Sequence, residues 1–280
     1  LRTVARIGLG IIILLLLAIP AWPLINLALV PYRVSAALHN EDLQQRVSDL
    51  TALQADYPQE NQQALLRLAD DSDAVTRSRA VSYLVNTNAS PRVTNAFLQH
   101  LLNDPAGEVR LCCAVALLSD QSLDVQQAFI QSLKDKNEQV VRVAIAALRR
   151  RGGAAVVKPL FGLLHHASWN VRLDACKALI ALNVADSRVV ATVETLSHEP
   201  EAAAYDAQVA TTEQREHELG RVPELNWGWG KINTILKQAK MIVATNPHPK
   251  KTPKPATTVL RFGPATPTAT PLPQGAPATD

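Results

Sequence analysis

The chain has 280 residues, a formal net charge of +3 and few aromatics. An Ala- and Leu-rich, aromatic-poor composition favours closely packed helices over a β-sandwich. The charge sits at one end: from Asn246 onward Lys250, Lys251, Lys254 and Arg261 face only Asp280, so 4 − 1 leaves +3 there and a neutral remainder. A neutral body offers no electrostatic footprint for nucleic acid, which is excluded as a partner class.

Residues 1–33 read as an N-terminal transmembrane anchor. No charged side chain lies between Arg6 and Arg33, and Ile7 to Val30 gives 24 apolar-dominated positions, interrupted by Pro20, Pro23 and Asn26. At about 1.5 Å per residue this exceeds the roughly 30 Å hydrocarbon core. Trp22 and Tyr32 sit where interfacial aromatics belong. The length favours an uncleaved anchor over a signal peptide cut near Val34-Ser35-Ala36. Basic residues tie across the segment, with Arg2 and Arg6 before it and Arg33 and Arg46 after it. The short basic N-terminus then argues for a cytosolic start, a cell-membrane location and an extracytoplasmic body.

Residues 34–57 are expected to form one linker helix with Val47, Leu50 and Leu53 on a stripe. Residues 58–200 repeat themselves. Val109, Val140 and Val171 fall at one fixed step, as do Leu117, Leu148 and Leu179, and Ala116, Ala147 and Ala178. Leu98, Phe129 and Leu160 keep the same step in the preceding helices, with Leu102, Leu133 and Leu164. An earlier copy aligns Thr76-Arg77 with Val109-Arg110, and Leu84 with Leu117. Such a step with helical spacing inside each unit predicts an all-α solenoid of four to five helix pairs. Ser90-Pro91 reads as a helix start, Asn103-Asp104-Pro105 as the break between two helices, and Gly152-Gly153 as the boundary between units three and four.

The strings Asp104-Pro-Ala-Gly-Glu-Val-Arg-Leu-Cys-Cys-Ala-Val-Ala-Leu117 and Trp169-Asn-Val-Arg-Leu-Asp-Ala-Cys-Lys-Ala-Leu179 resemble HEAT repeats, particularly the short variety of phycobilisome-lyase-like proteins. The resemblance runs from about Pro58 to Asn183, with a weaker fifth unit near Ser187 to Ser197. It implies a ladder in which a turn Asp and the Arg after the aligned Val link neighbouring repeats. Asp71 with Arg77 and Asp104 with Arg110 match that pattern. Unit three departs from it, with Val141 at the arginine place and Arg142 one position later, and unit four has His166 at the Asp place ahead of Arg172. The resemblance also implies second helices lining a concave face, exposed two and six residues after each aligned valine.

Those places hold Leu111 and Val115, Arg142 and Ala146, Leu173 and Lys177. Leu111, Val115, Arg142, Leu173 and Lys177 are the candidate partner-binding residues. An exposed apolar strip there marks a protein or peptide site, and half-burial between neighbouring helices is the alternative. Arg149-Arg150-Arg151 reads as a solvated helix end favoured by the dipole. Trp169 reads as a packing residue.

Residues 201–245 are expected to cap the array with a helix to about Leu219 and another from Lys231 to Ala244, whose apolar face is Ile232, Ile235, Leu236 and Ala239. Between them, Trp227 and Trp229, flanked by glycines, form either a stacking platform or a plug at the solenoid end, the plug being favoured. Residues 246–280, with nine prolines and seven threonines, read as a disordered, extended tail of the kind seen as spacers in exported surface proteins.

No phosphate loop, nucleophile elbow or paired-cysteine zinc spacing occurs, and adjacent helical His165-His166 point about 100° apart, a poor start for a metal site. Cys112, Cys113 and Cys176 read as buried free thiols. No catalytic residue, metal or cofactor is assigned. The expected function is a membrane-anchored, non-catalytic scaffold for a protein or peptide partner. A lyase-like enzyme or subunit acting on a tetrapyrrole-type ligand is the alternative implied by the repeats.

Overall fold

The structure, a computed structural model, describes residues 23–87, 90–218 and 230–245. Those residues are all-α or connecting turns, in thirteen helices: α1 (23–39), α2 (Leu43–Asp56), α3 (Pro58–Leu68), α4 (Ala74–Leu84), α5 (Pro91–Asn103), α6 (Gly107–Ala116), α7 (Leu123–Ser132), α8 (Glu138–Arg151), α9 (Ala154–Gly162), α10 (Trp169–Ala181), α11 (Ser187–Ser197), α12 (Glu201–Glu218) and α13 (Ile232–Thr245). The membrane segment as far as Trp22, the Trp227 and Trp229 motif and the tail from Asn246 lie outside the described residues. No described helix is long and apolar enough to cross a membrane.

Small polar side chains set the helix starts. Asp42, Asp73, Ser90, Ser122, Asn137, Ser168 and Asp186 each accept a hydrogen bond from a backbone N–H two or three residues on. Each such cap contributes about 1 kcal/mol by satisfying a donor the helix itself leaves free. Gly152 (φ 69°) and Gly153 (φ 88°) turn the chain between α8 and α9 in the left-handed region that a side chain resists.

The helices pair as α3/α4, α5/α6, α7/α8 and α9/α10, and α4, α6, α8 and α10 stack in succession as the second-helix layer. Val109, Val140 and Val171 are wholly buried, and Leu117, Leu148 and Leu179 almost so. The expected repeat is therefore the core of the array. α11 starts and stops where the weak fifth unit is expected, and α13 packs on α11 and α10 through Ile232, Ile235 and Ala239.

Two expectations change. The linker is not one helix: α1 runs to residue 39, and Asn40–Asp42 breaks the chain before α2. The Asn40 side chain accepts from the Asp42 N–H, and the Arg46 guanidinium donates to the Asn40 carbonyl, so the break is held by local bonds. Of the stripe expected on α2, Leu50 and Leu53 are buried and Val47 is exposed. In α5 the buried positions are Val93, Phe97 and Leu101, while Leu98 is only partly buried and Leu102 is exposed. They correspond to Val125, Phe129 and Leu133 at one residue more than the repeat step. The α5–α6 turn, which contains Pro105, takes up the extra residue, so the second helices keep register while the first helix rotates.

Candidate partner-binding face

The turn edge of the array is held by a ladder of arginines. Arg77 donates Nε and Nη2 to the two Asp104 carboxylate oxygens at 2.8 and 2.9 Å, and Nη1 to the Asp71 and Ser72 carbonyls at 2.9 Å. Arg110 repeats this with Asp135 at 2.7 Å and the Asp104 and Pro105 carbonyls. Arg172 donates Nη2 to one Glu199 carboxylate oxygen and Nη1 to the His166 and Ala167 carbonyls. Each arginine thus closes its own turn and reaches the carboxylate of the next unit. Burial pushes the Asp104 and Asp135 carboxyls up, but the arginine bonds and the Ala106 and Asn137 backbone N–H groups outweigh it and hold both below the ordinary carboxylate range.

The rung between units three and four is missing at both ends together, since wholly buried Val141 replaces the arginine and His166 replaces the carboxylate. Glu199, not the aligned Ser197, resumes the ladder. Sequence spacing alone does not show that rung. Hollows of about 720 and 520 Å³ lie along this edge, one around Arg110 and Asp135, the other around His166, Arg172 and Glu199. No cluster of three or more potential metal ligands exists among the described residues, and His165-His166 belongs to the second hollow.

The second-helix layer carries the candidate partner residues. On α6, Val115 is 52% exposed and Leu111 is half-buried against the core. One helix earlier, Val75 is equally exposed, and Ser82 donates to the Cys112 sulfur. On α8, Ala146 is half-buried, and the Arg142 Nε donates to Asp174 of α10 at 2.7 Å. On α10, Lys177 lies 3.9 Å from Asp174 and 5.7 Å from the centre of the Tyr205 ring. Burial pushes the Lys177 amine down, Asp174 offsets part of this, and the like charges of Arg149 and Arg142 push it further.

Leu173 is a correction. It is 2% exposed on α10, a helix packed against α8, α9, α11 and α13, so it belongs to the core and not to a surface strip. The structure therefore brings Leu111, Val115, Arg142 and Lys177 to one layer and removes Leu173 from it. It adds Asp174, Arg149 and Tyr205, which the repeat alignment passes over. Asp174 stands 32 residues after Arg142, one more than the repeat step, which is how a seam between neighbouring helices is bridged. Tyr205 is on α12, outside the repeat; its hydroxyl donates to the Gly230 carbonyl at 3.2 Å, and burial first, then Asp174 and Asp206, raise its phenol to about 12.

Trp169 packs as expected: it is 5% exposed, donates Nε1 to the Leu196 carbonyl at 3.2 Å and lies 5.6 Å from the Tyr205 ring centre. Cys112, Cys113 and Cys176 are free, and burial raises the thiols of Cys113 and Cys176, the latter to about 12, so neither is a ready nucleophile. Of the basic cluster, Arg151 is no solvated end: its guanidinium stacks over Phe129 at 4.9 Å and donates to the Asp120 carbonyl.

Residues 126–210 match the family described as HEAT repeats. No curated protein matches the chain. Solved structures similar to it include YibA of Escherichia coli (16% identity, 79% of this chain and 96% of that one, TM-score 0.37) and an engineered protein (15%, 77% and 96%, 0.40). Computationally designed armadillo repeat proteins for modular peptide recognition are a third (20%, 76% and 99%, 0.38). The stacked helix pairs thus form an all-α repeat array whose residues 126–210 carry the match to HEAT repeats.

Proposed function

We propose that this protein is a non-catalytic scaffold that holds a protein or peptide partner along its second-helix layer, beside a membrane to which residues 7–30 tether it. The observation that carries the partner reading is the exposure of Val75 and Val115 on successive second helices, with half-buried Leu111 beside them. Apolar side chains exposed on neighbouring helices favour association because a partner removes them from water. The tether is supported by the uncharged stretch of the sequence and by α1, where Leu24 is 69% exposed and Ile25, Leu27 and Leu29 are also open, whereas Val30 and Val34 are buried against the array.

Placing a photo-crosslinking residue at Val115, and as a control at Glu213 on α12, tests the partner reading in intact cells. A discrete adduct from position 115 that is absent from position 213 is expected. No adduct, or the same adducts from both, overturns it. Orientation is read with a tag after Asp280: removal by protease added to unbroken cells supports an extracytoplasmic array, and survival until lysis points to a cytosolic one. Titration with bilins separates this reading from a lyase-like enzyme, because a spectral change on binding would favour the enzyme.

A further inference from the structure

We infer that the second-helix face selects an acidic, extended segment of a partner protein, with an apolar side chain on the α6 patch and a carboxylate about three residues away on the α8–α10 seam. This deepens the proposed scaffold reading and rests on it.

The face is not uniform along the stack. Over α6 it is apolar, with Leu111 and Val115. Over the α8–α10 seam it is charged: Arg142 of α8 bonds Asp174 of α10, Arg149 stands two turns further along α8, and Lys177 lies largely covered beside Tyr205. The two arginines against Asp174 leave this stretch of the layer net positive. Arg142 shares its guanidinium with Asp174 through Nε alone, and its side chain is 36% exposed, so its remaining donors can meet a second carboxylate. Arg149 pairs with no carboxylate among the described residues. Crowding of like charge is the condition an incoming anion relieves.

The spacing sets the form of the ligand. Neighbouring stacked helices lie about 10 Å apart, and an extended chain advances about 3.3 Å per residue. One step from α6 to α8 therefore spans about three residues of a peptide laid across the helices. The chain's own tail does not suit the face, since it carries Lys250, Lys251, Lys254 and Arg261 against Asp280. A like-charged segment is repelled from the seam, so the occupant is a separate chain of opposite sign.

The test pans a random library of displayed twelve-residue peptides on the full chain and then measures the enriched peptides by fluorescence anisotropy. Enrichment of Asp or Glu about three positions from an apolar residue is expected. Affinity should fall at least tenfold when those acids become amides, and at least fivefold in the Arg142→Gln/Arg149→Gln double variant. Both arginines are partly exposed, so helicity by circular dichroism should be unchanged in that variant. Enriched peptides that are neutral or basic, or acidic peptides bound equally by the double variant, overturn the charge selection while the scaffold reading stands if Val115→Asp still abolishes binding. If no peptide is enriched, or if Val115→Asp leaves binding intact, the selection and the scaffold reading of this face fall together.

Discussion

Arg77 and Asp104 form the most enclosed of the ladder pairs, with side chains 10% and 2% exposed. Arg77→Met keeps much of the side-chain volume but strands the Asp104 carboxylate and two turn carbonyls. Breaking a buried pair from one side costs about 3–5 kcal/mol, and denaturant titration should show a loss of that size. Acid should act through the same groups. Asp104 and Asp135 have folded pKa values below those of the unfolded chain, where a carboxyl titrates near 4. Their contribution is complete above that value and is lost as pH falls through the lowered folded values. Asp135→Asn should therefore lower stability at neutral pH and flatten its decline below about pH 4. An unchanged slope in urea titrations across that range would show that the carboxylate is not a source of acid sensitivity. The Arg–Asp spacing in units one and two is legible from the sequence, but the direction of the bond is not. Arg77 and Asp71 share a unit, yet the carboxylate Arg77 binds is that of Asp104, because each turn stacks on the next and the guanidinium spans the gap.

At the scale of the helix pair, the absent third rung tests whether the ladder is a modular device. Arg77, Arg110 and Arg172 all place Nη1 on the carbonyls six and five residues back. Position 141 is the equivalent place, and Asp135 and Lys136 supply the equivalent carbonyls. Val141→Arg alone buries a charge opposite His166 and should cost about 2–4 kcal/mol. Adding His166→Asp supplies the carboxylate and should recover at least about 1 kcal/mol, read as non-additivity in a double-mutant cycle. Additive losses would mean that the α8–α10 step is too wide for a rung. The same scale explains the α5 discrepancy. A fixed repeat step places Leu98 and Leu102 inside, but one extra residue in the turn rotates the helix by about 100° and brings Phe97 and Leu101 inward. Periodicity finds a helix and its apolar face, while the residue that faces the neighbour depends on how long the preceding or following turn is.

For the whole molecule, stability is a sum over neighbouring units, with no long-range core to average over. Trp169 ties unit four to the C-terminal helices through the Leu196 carbonyl and the Tyr205 ring. Trp169→Ala should cost about 3–5 kcal/mol and act locally: hydrogen exchange should quicken in α11 and α13 well before α4 and α6. Uniform quickening along the stack would show a single cooperative unit instead. The C-terminal helices also bear on the second-helix layer, since α12 places Tyr205 beside Lys177 and α13 packs on α10.

Read alone, the sequence determined that this is a stack of helix pairs, a few of its helix boundaries, as at Ser90-Pro91, Asn103-Asp104-Pro105 and Gly152-Gly153, and which valines and leucines recur in its core. These follow from local chemistry: a helix has a period, a cap needs an oxygen, and a proline or paired glycines interrupt. Tertiary structure alone decided that Leu173 is covered, that Asp174 and Tyr205 join Arg142 and Lys177, and that Glu199 closes the last rung. Each of those depends on a residue from a neighbouring helix arriving at the right height. Contacts across a seam are set by turn length and stacking, which no single repeat carries within itself.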